Sequence, residues 1–193
     1  MPGLLAPAIR RMQKERPGIK LFVLVNTTEV LMAALRQGTL DIAVCPLPTD
    51  ADLSELDVSA LGDEPLRIVA RKRHPLAGRK SIPPAKLGGA TWVMQPPDSP
   101  LRRDAEAMLA TAGLRIPATV TETVSIVATL TLLQDSDALT VMPQALARHY
   151  ARFGMLTEVD VKLAAPSSRY ELVTRARREL SPAASAFVAM LLR

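Results

Sequence analysis

Aromatic residues are scarce in this chain: three Phe, two Tyr and one Trp among 193 residues, 3% in all. So few rings leave no platform on which the bases of a single-stranded nucleic acid would stack. Cysteine is scarcer still. Cys45 stands alone, which excludes an internal disulfide, and its apolar neighbourhood reads as a buried strand. We take it as a small core hydrophobe in a reducing compartment, with the cytoplasm as the default location. The two histidines, His74 and His149, have no Cys, Asp or Glu at zinc-ligand spacing, so neither a metal nor a cofactor is expected. His74 falls in a turn-like His-Pro-Leu phrase and His149 lies beside Tyr150, which suits surface or packing roles. No GxSxG, phosphate-binding loop or dinucleotide glycine cluster is present, and catalysis is therefore the least supported function. Apolar runs are interrupted by Arg, Lys, Asp or Gly well short of the ~18 residues a membrane span needs. Near the start, charges follow the apolar residues, the reverse of a secretory signal.

What remains is the composition of a globular α/β domain, with 48% hydrophobic and 22% charged residues. The net charge of +5 is dispersed over Arg10–Arg11, Arg71–Arg73, Arg102–Arg103 and Arg175–Arg178, and it reads as solvated surface. Helical and strand periodicities alternate along the chain, as in folds built on largely parallel sheets. Leu4, Leu5, Ala8, Ile9 and Met12 recur at helical spacing before Pro17-Gly18. Ile19 to Val25 has the β-branched content of a buried strand. Asn26, Thr27 and Thr28 precede a helix whose inner face is Val30, Leu31, Ala34 and Leu35, with Gly38 as its left-handed stop. Leu40 to Val44 is another strand.

Further strands are expected at Leu56 to Leu61 and Leu66 to Arg71. The stretch rich in Pro, Gly, Arg and Lys from Arg71 to Gly89 reads as a loop and candidate boundary. The pattern then restarts. Thr91 to Met94 is a strand, and Ser99-Pro100 supplies a cap followed by proline at the first helical position. Gly113 ends that helix, and Ala118 to Glu122 is a strand. A helix follows on Ile126, Val127, Leu130 and Leu133, then a strand at Ala138 to Met142 and a helix closed by Gly154. Strands near Leu156 to Val161 and Arg169 to Thr174 lead to Ser181-Pro182, which opens a last helix.

Several phrases occur in a telling order. They are LRQGTLDIAV (35–44), the stretch from Glu64 through HPLA (74–77), PPDSPLRR (96–103), VMP (141–143) and SPA (181–183). Together they resemble the effector-binding domain of LysR-type transcriptional regulators, over essentially the whole chain. PPDSP, ETVS (122–125) and QDSD (134–137) resemble the branch that senses sugars or aromatic acids. The resemblance implies two lobes of mostly parallel sheet flanked by helices, like a type II periplasmic binding protein. Residues 1–69 with 170–193 would form lobe I and 70–169 lobe II. It also implies that the family's first strand of lobe I and the winged helix-turn-helix are absent from this stretch, so DNA would be reached only through that missing N-terminal domain. The family assembles as homodimers or homotetramers, and Ala33 to Arg36 and Ala105 to Ala112 are candidate contact surfaces.

Parallel sheets bind ligands beyond the carboxyl ends of their strands, where helix N-termini gather. Hydroxyls follow strands at Thr27 and Thr28, at Ser99, and at Thr123 and Ser125. Each is also an ordinary cap worth about 1 kcal/mol, needing no ligand. The resemblance places Thr28, Ser99 and Thr123 to Ser125 at an interlobe cleft, with Pro97 shaping the wall and Arg102 able to pair a carboxylate. The expected function is sensing of a small metabolite, an aromatic or sugar acid or a sugar. A lobe rearrangement would relay the signal through oligomer contacts. The alternative of the same fold is the solute-binding protein of an ABC transporter.

Overall fold

The computed structural model describes residues 2–117, 120–163 and 167–192, with the side chains of Pro2 and Gly3 left aside. The chain divides into two compact units, Met1–Asp63 with Arg169–Arg193, and Glu64–Ser168. Two strands carry it from one unit to the other: β2 (Leu56–Arg71) and β7 (Ser167–Arg175).

In the first unit, α1 (Pro2–Glu15) leads through a turn and an irregular segment to α2 (Thr28–Gln37) and β1 (Ala43–Cys45). β1 pairs antiparallel with β7 in the register Ala43↔Val173, Val44↔Leu172, Cys45↔Glu171. Alternation along these strands divides the core in two, because successive side chains point to opposite faces. Ala43, Cys45 and Val173 pack with Leu31, Met32 and Leu35 of α2. Ile42, Val44 and Leu172 face the other way, toward Ala8 of α1 and Phe187 and Leu191 of α6 (Pro182–Leu191). α2 ends as its sequence requires, with Gly38 at φ 78 and its N–H bonded to the last turn.

Ile19 to Val25 is not a strand. No ladder includes it among the described residues, and Phe22 and Val25 are 76% and 79% exposed. β-branched composition makes a segment fit for a pleated surface, but a strand exists only where a neighbouring backbone takes up its N–H and C=O groups. Leu56 to Arg71, expected as two strands, is a single one of 16 residues. Gly62 at φ 127 and Pro65 lie where the chain changes unit, and both tolerate extended backbone without a full ladder.

The second unit has a sheet covered on both faces. β2 pairs antiparallel with β5 (Thr140–Pro143) and β6 (Leu156–Glu158). β3 (Val93–Met94) and β4 (Thr121–Glu122) pair parallel, and a parallel bridge joins Trp92 to Leu139. Ala118 and Thr119, expected at the start of the β4 strand, lie outside the described residues. Leu66, Ile68, Trp92, Met94, Leu139 and Val141 pack toward α3 (Pro100–Ala110). Val69, Val93 and Met142 pack on the opposite face with Leu130 and Leu133 of α4 (Ile126–Gln134) and Ala147 of α5 (Gln144–Arg152). Fully buried leucines such as Leu133 and Leu139 contribute roughly 2–3 kcal/mol each. The whole of the Arg71 to Gly89 stretch lies within this unit, and its first residue ends β2. His74 stitches it down: Leu76 N–H donates to Nδ1 at 3.1 Å, so Nε2 carries the proton toward the Asp137 carbonyl, also 3.1 Å away.

Candidate functional site

The parallel register Val93↔Thr121, Met94↔Glu122 makes β3 and β4 end at one edge of the sheet. From that edge the chain leaves through Gln95–Ser99 into α3 and through Thr123–Ser125 into α4. Thr123 N–H is tied back to the Met94 carbonyl at 2.9 Å, which holds the two exits together. Pro97, Ser99, Arg102, Thr123 and Ser125 thus meet at the start of two adjacent helices, all within the second unit.

Their hydroxyls do different work. Ser125 caps α4, accepting from Ala128 N–H at 3.2 Å, and Thr123 accepts from Ser125 N–H at 3.0 Å. Ser99 sits at the cap position of α3 but makes no cap bond. It is 4% exposed, and its Oγ donates to Oε1 of Gln95 at 2.5 Å. The expectation that Ser99 caps its helix is thereby corrected: its hydroxyl is turned onto the amide oxygen of Gln95, four residues back, and accepts no N–H of α3.

Arg102 is no solvated helix residue. It is 6% exposed, with Nη1 donating to the Gln95 carbonyl at 2.8 Å and to Glu122 at 3.1 Å, and Nε to Glu106 at 2.7 Å. A guanidinium can be buried only where carboxylates and carbonyls replace its water. Here it ties the end of β3 to the end of β4 through one fork. Two carboxylates and one backbone carbonyl thus hold Arg102 at the edge. Pro97 is exposed beside it.

The first unit holds the other pair. Thr27 caps α2, accepting from Val30 N–H at 3.5 Å. Thr28, 7% exposed, donates to the Pro46 carbonyl at 3.0 Å and so binds the helix start to the end of β1. Its hydroxyl also reaches Cys45. Burial pushes the Cys45 thiol up to about 11, against which Thr28 hydrogen bonding works, while the Glu171 charge adds to the rise. Such a thiol stays protonated and inert at neutral pH.

Sequence reasoning missed Gln95, Glu106 and Glu122, the groups that organise this edge. Glu106 was open to detection, since it stands four residues after Arg102 on one helix face. Gln95 and Glu122 become visible only once β3 and β4 are known to be neighbours. Among the described residues no group of three or more His, Cys, Asp or Glu side chains is placed to hold a metal ion, and no helix is long and apolar enough to cross a membrane.

An α/β chain in two units, with helix starts gathered at parallel strand ends, is the architecture of a ligand-binding regulatory domain. The chain belongs to the LysR substrate binding domain family, whose model matches residues 1–193. It is similar to the HTH-type transcriptional regulator GbpR of Azospirillum brasilense, 34% identical over 190 residues that make up 97% of this chain and 55% of the relative. The chain spans about half the length of the curated relatives it matches. The fold is that of the CcmR regulatory domain of Synechocystis PCC6803 in complex with 2-PG (TM-score 0.81, 20% identity, 97% of this chain and 88% of that one). It is likewise that of the QuiR effector binding domain in complex with shikimate (TM-score 0.75, 19% identity, 97% and 88%). These relatives are regulators, and the transporter alternative finds no support among them.

Proposed function

We propose that this chain is the sensing part of a LysR-type DNA-binding transcriptional regulator. It takes up a small metabolite, an aromatic or sugar acid or a sugar, and passes a change of conformation through homodimer or homotetramer contacts. It acts in the cytoplasm and performs no catalysis. The contacts proposed for the effector are Thr27 and Thr28 in the first unit and Pro97, Ser99, Arg102, Thr123 and Ser125 in the second. One observation carries the reading: the parallel ends of β3 and β4 bring two helix N-termini and a buried Ser-Gln-Arg network to a single edge. Helix N-termini present free N–H groups that suit carboxylates and hydroxyls. Relatives of this fold hold 2-PG and shikimate, both small and rich in oxygen, in line with that chemistry. A ligand shifts the regulator only through unequal affinity for its states, about 1.4 kcal/mol for each tenfold change.

The finer reading of the fold is two lobes with parallel sheets at their centres, and a first-unit sheet with room for one more strand. Among the described residues β1 pairs only through its β7 edge, and Leu21 to Leu24 line one apolar cavity of about 140 Å³ with Ile42 to Val44. Hydrogen exchange at these amides in the whole protein tests that strand: protection supports it, and free exchange on both sides rejects it.

For the effector, thermal shift against aromatic acids, sugars and sugar acids should find a ligand with saturable stabilisation following RT ln(1 + [L]/Kd). Affinity should fall about tenfold with Ser99→Ala or Thr28→Val, the loss of one hydrogen bond to a ligand. If the best ligand binds both variants as tightly as the parent chain, the site is elsewhere.

A further inference from the structure

Beyond the effector edge, the first unit contains a concave basic site of about 390 Å³, lined by Arg36, Arg175, Arg177, Arg178, Ser54 and Glu55. Its four guanidiniums come from two places. Arg36 ends the last turn of α2 and donates to the Asp52 carbonyl at 2.8 Å. The other three come from Arg175-Ala176-Arg177-Arg178, where β7 runs out into a turn.

Arg175 forms the floor. Its Nη1 donates to the carbonyls of Leu35 (2.7 Å) and Leu40 (2.6 Å), and its Nη2 lies 3.6 Å from Asp41, which fixes the side chain beneath the C-terminus of α2. Nε of the same residue is buried with no hydrogen-bond partner. Arg178 comes to the same spot: its Nη1 and Nη1 of Arg175 lie 3.5 and 3.8 Å from where a side chain on Gly38 would begin. Arg177 is held at φ 56, a left-handed conformation that side-chain-bearing residues adopt only under constraint. Neither Arg177 nor Arg178 has an ion-pair partner among the described residues. Glu55 is the one carboxylate in the lining. The nearby Asp52 carboxyl is held below its usual range, first by hydrogen bonding to Ser54 and also by the Arg36 charge.

Like charges repel, so gathering these guanidiniums costs stability that a bound anion offsets. We propose that this site binds a phosphate group, with Arg177 and Arg178 as the grasping residues and Arg175 as the fixed wall. Guanidinium forks match phosphate oxygens two at a time, and several forks around one concavity select a doubly charged group over chloride. The phosphate belongs either to a free phosphorylated metabolite or to a nucleic-acid backbone. The site shares no residue with those proposed to hold the effector, and does not depend on them.

Isothermal titration of pyrophosphate into the 193-residue chain, at constant ionic strength, tests the proposal. Saturable binding is expected, weakened about tenfold or more by the double variant Arg177→Gln/Arg178→Gln. Both side chains are exposed, so the variant should melt like the parent. Heat no different from a chloride control, or equal affinity in the double variant, overturns the site. A DNA duplex of about 20 base pairs then identifies the source. Competition with pyrophosphate that fades steeply with salt assigns the site to a nucleic-acid backbone, and binding of pyrophosphate undisturbed by the duplex assigns it to a free phosphate compound.

Discussion

Two helices of this chain open with the same dipeptide, Ser-Pro, and use it differently. At α6, Ser181 is exposed and its Oγ accepts from Ala184 N–H at 3.1 Å, an ordinary cap. At α3, Ser99 is buried and its hydroxyl turns away from the helix to donate to Gln95. Proline at the first position has no N–H to be capped in either case, so the dipeptide fixes where a helix starts and leaves the hydroxyl uncommitted. Whether it caps is decided by what else lies within reach. The helix whose serine is diverted is also the one with a buried arginine, and that coincidence marks the α3 start as the worked edge of the molecule.

The largest test of this contrast is aspartate at both positions. Asp caps as well as Ser on a surface, so Ser181→Asp should change stability by less than about 0.5 kcal/mol. Ser99→Asp buries a carboxylate against the Gln95 amide oxygen and should cost about 3 kcal/mol in urea unfolding. Equal effects at the two sites would show that the buried hydroxyl network is not what separates them.

Next in size is the hydroxyl at the start of α2, Thr28, and its neighbour Cys45. A thiol raised from 9.0 to about 11 keeps its proton more tightly in the folded state than in the unfolded one. Between those values the unfolded chain has lost the proton and the folded chain has not, so stability should fall as pH rises from about 9 to 11, by up to roughly 2.5 kcal/mol. Cys45→Ala should remove that alkaline slope, as followed by urea midpoints at each pH. A slope that persists undiminished would assign it to other groups.

The smallest effect sharpens the α6 side. Ser181→Ala should cost about 1 kcal/mol, and Ser181→Gly only a few tenths, as at any exposed cap, both read from thermal unfolding. A loss at Ser181→Gly as large as that of alanine would mean that the serine does more than cap.

Much of the fold was legible because local chemistry and tertiary role agree. Gly38 stops α2, Ser125 and Ser181 cap, and the strand expected at Leu40 to Val44 is found at Ala43–Cys45. Legibility failed where a residue's role depends on something distant in sequence. Ile19 to Val25 has the side chains of a strand, but no sequence window reports whether a neighbouring backbone is there to pair with it. Gly62 to Pro65 looks like a break, although extended backbone runs straight through it. Arg102 seemed a surface residue because Glu122, 20 positions on, had yet to be placed against it.

The double passage of β2 and β7 gives the two units unequal histories during synthesis. The second unit is one unbroken stretch, Glu64–Ser168, whose strands and helices are all available once that stretch has left the ribosome. The first cannot close its sheet until Val173 arrives to meet Ala43, 130 positions earlier, after the whole of the other unit has been made. Contacts so remote form slowly and leave their partners waiting exposed. The nascent chain therefore acquires its later-starting half first and completes its earlier-starting half last.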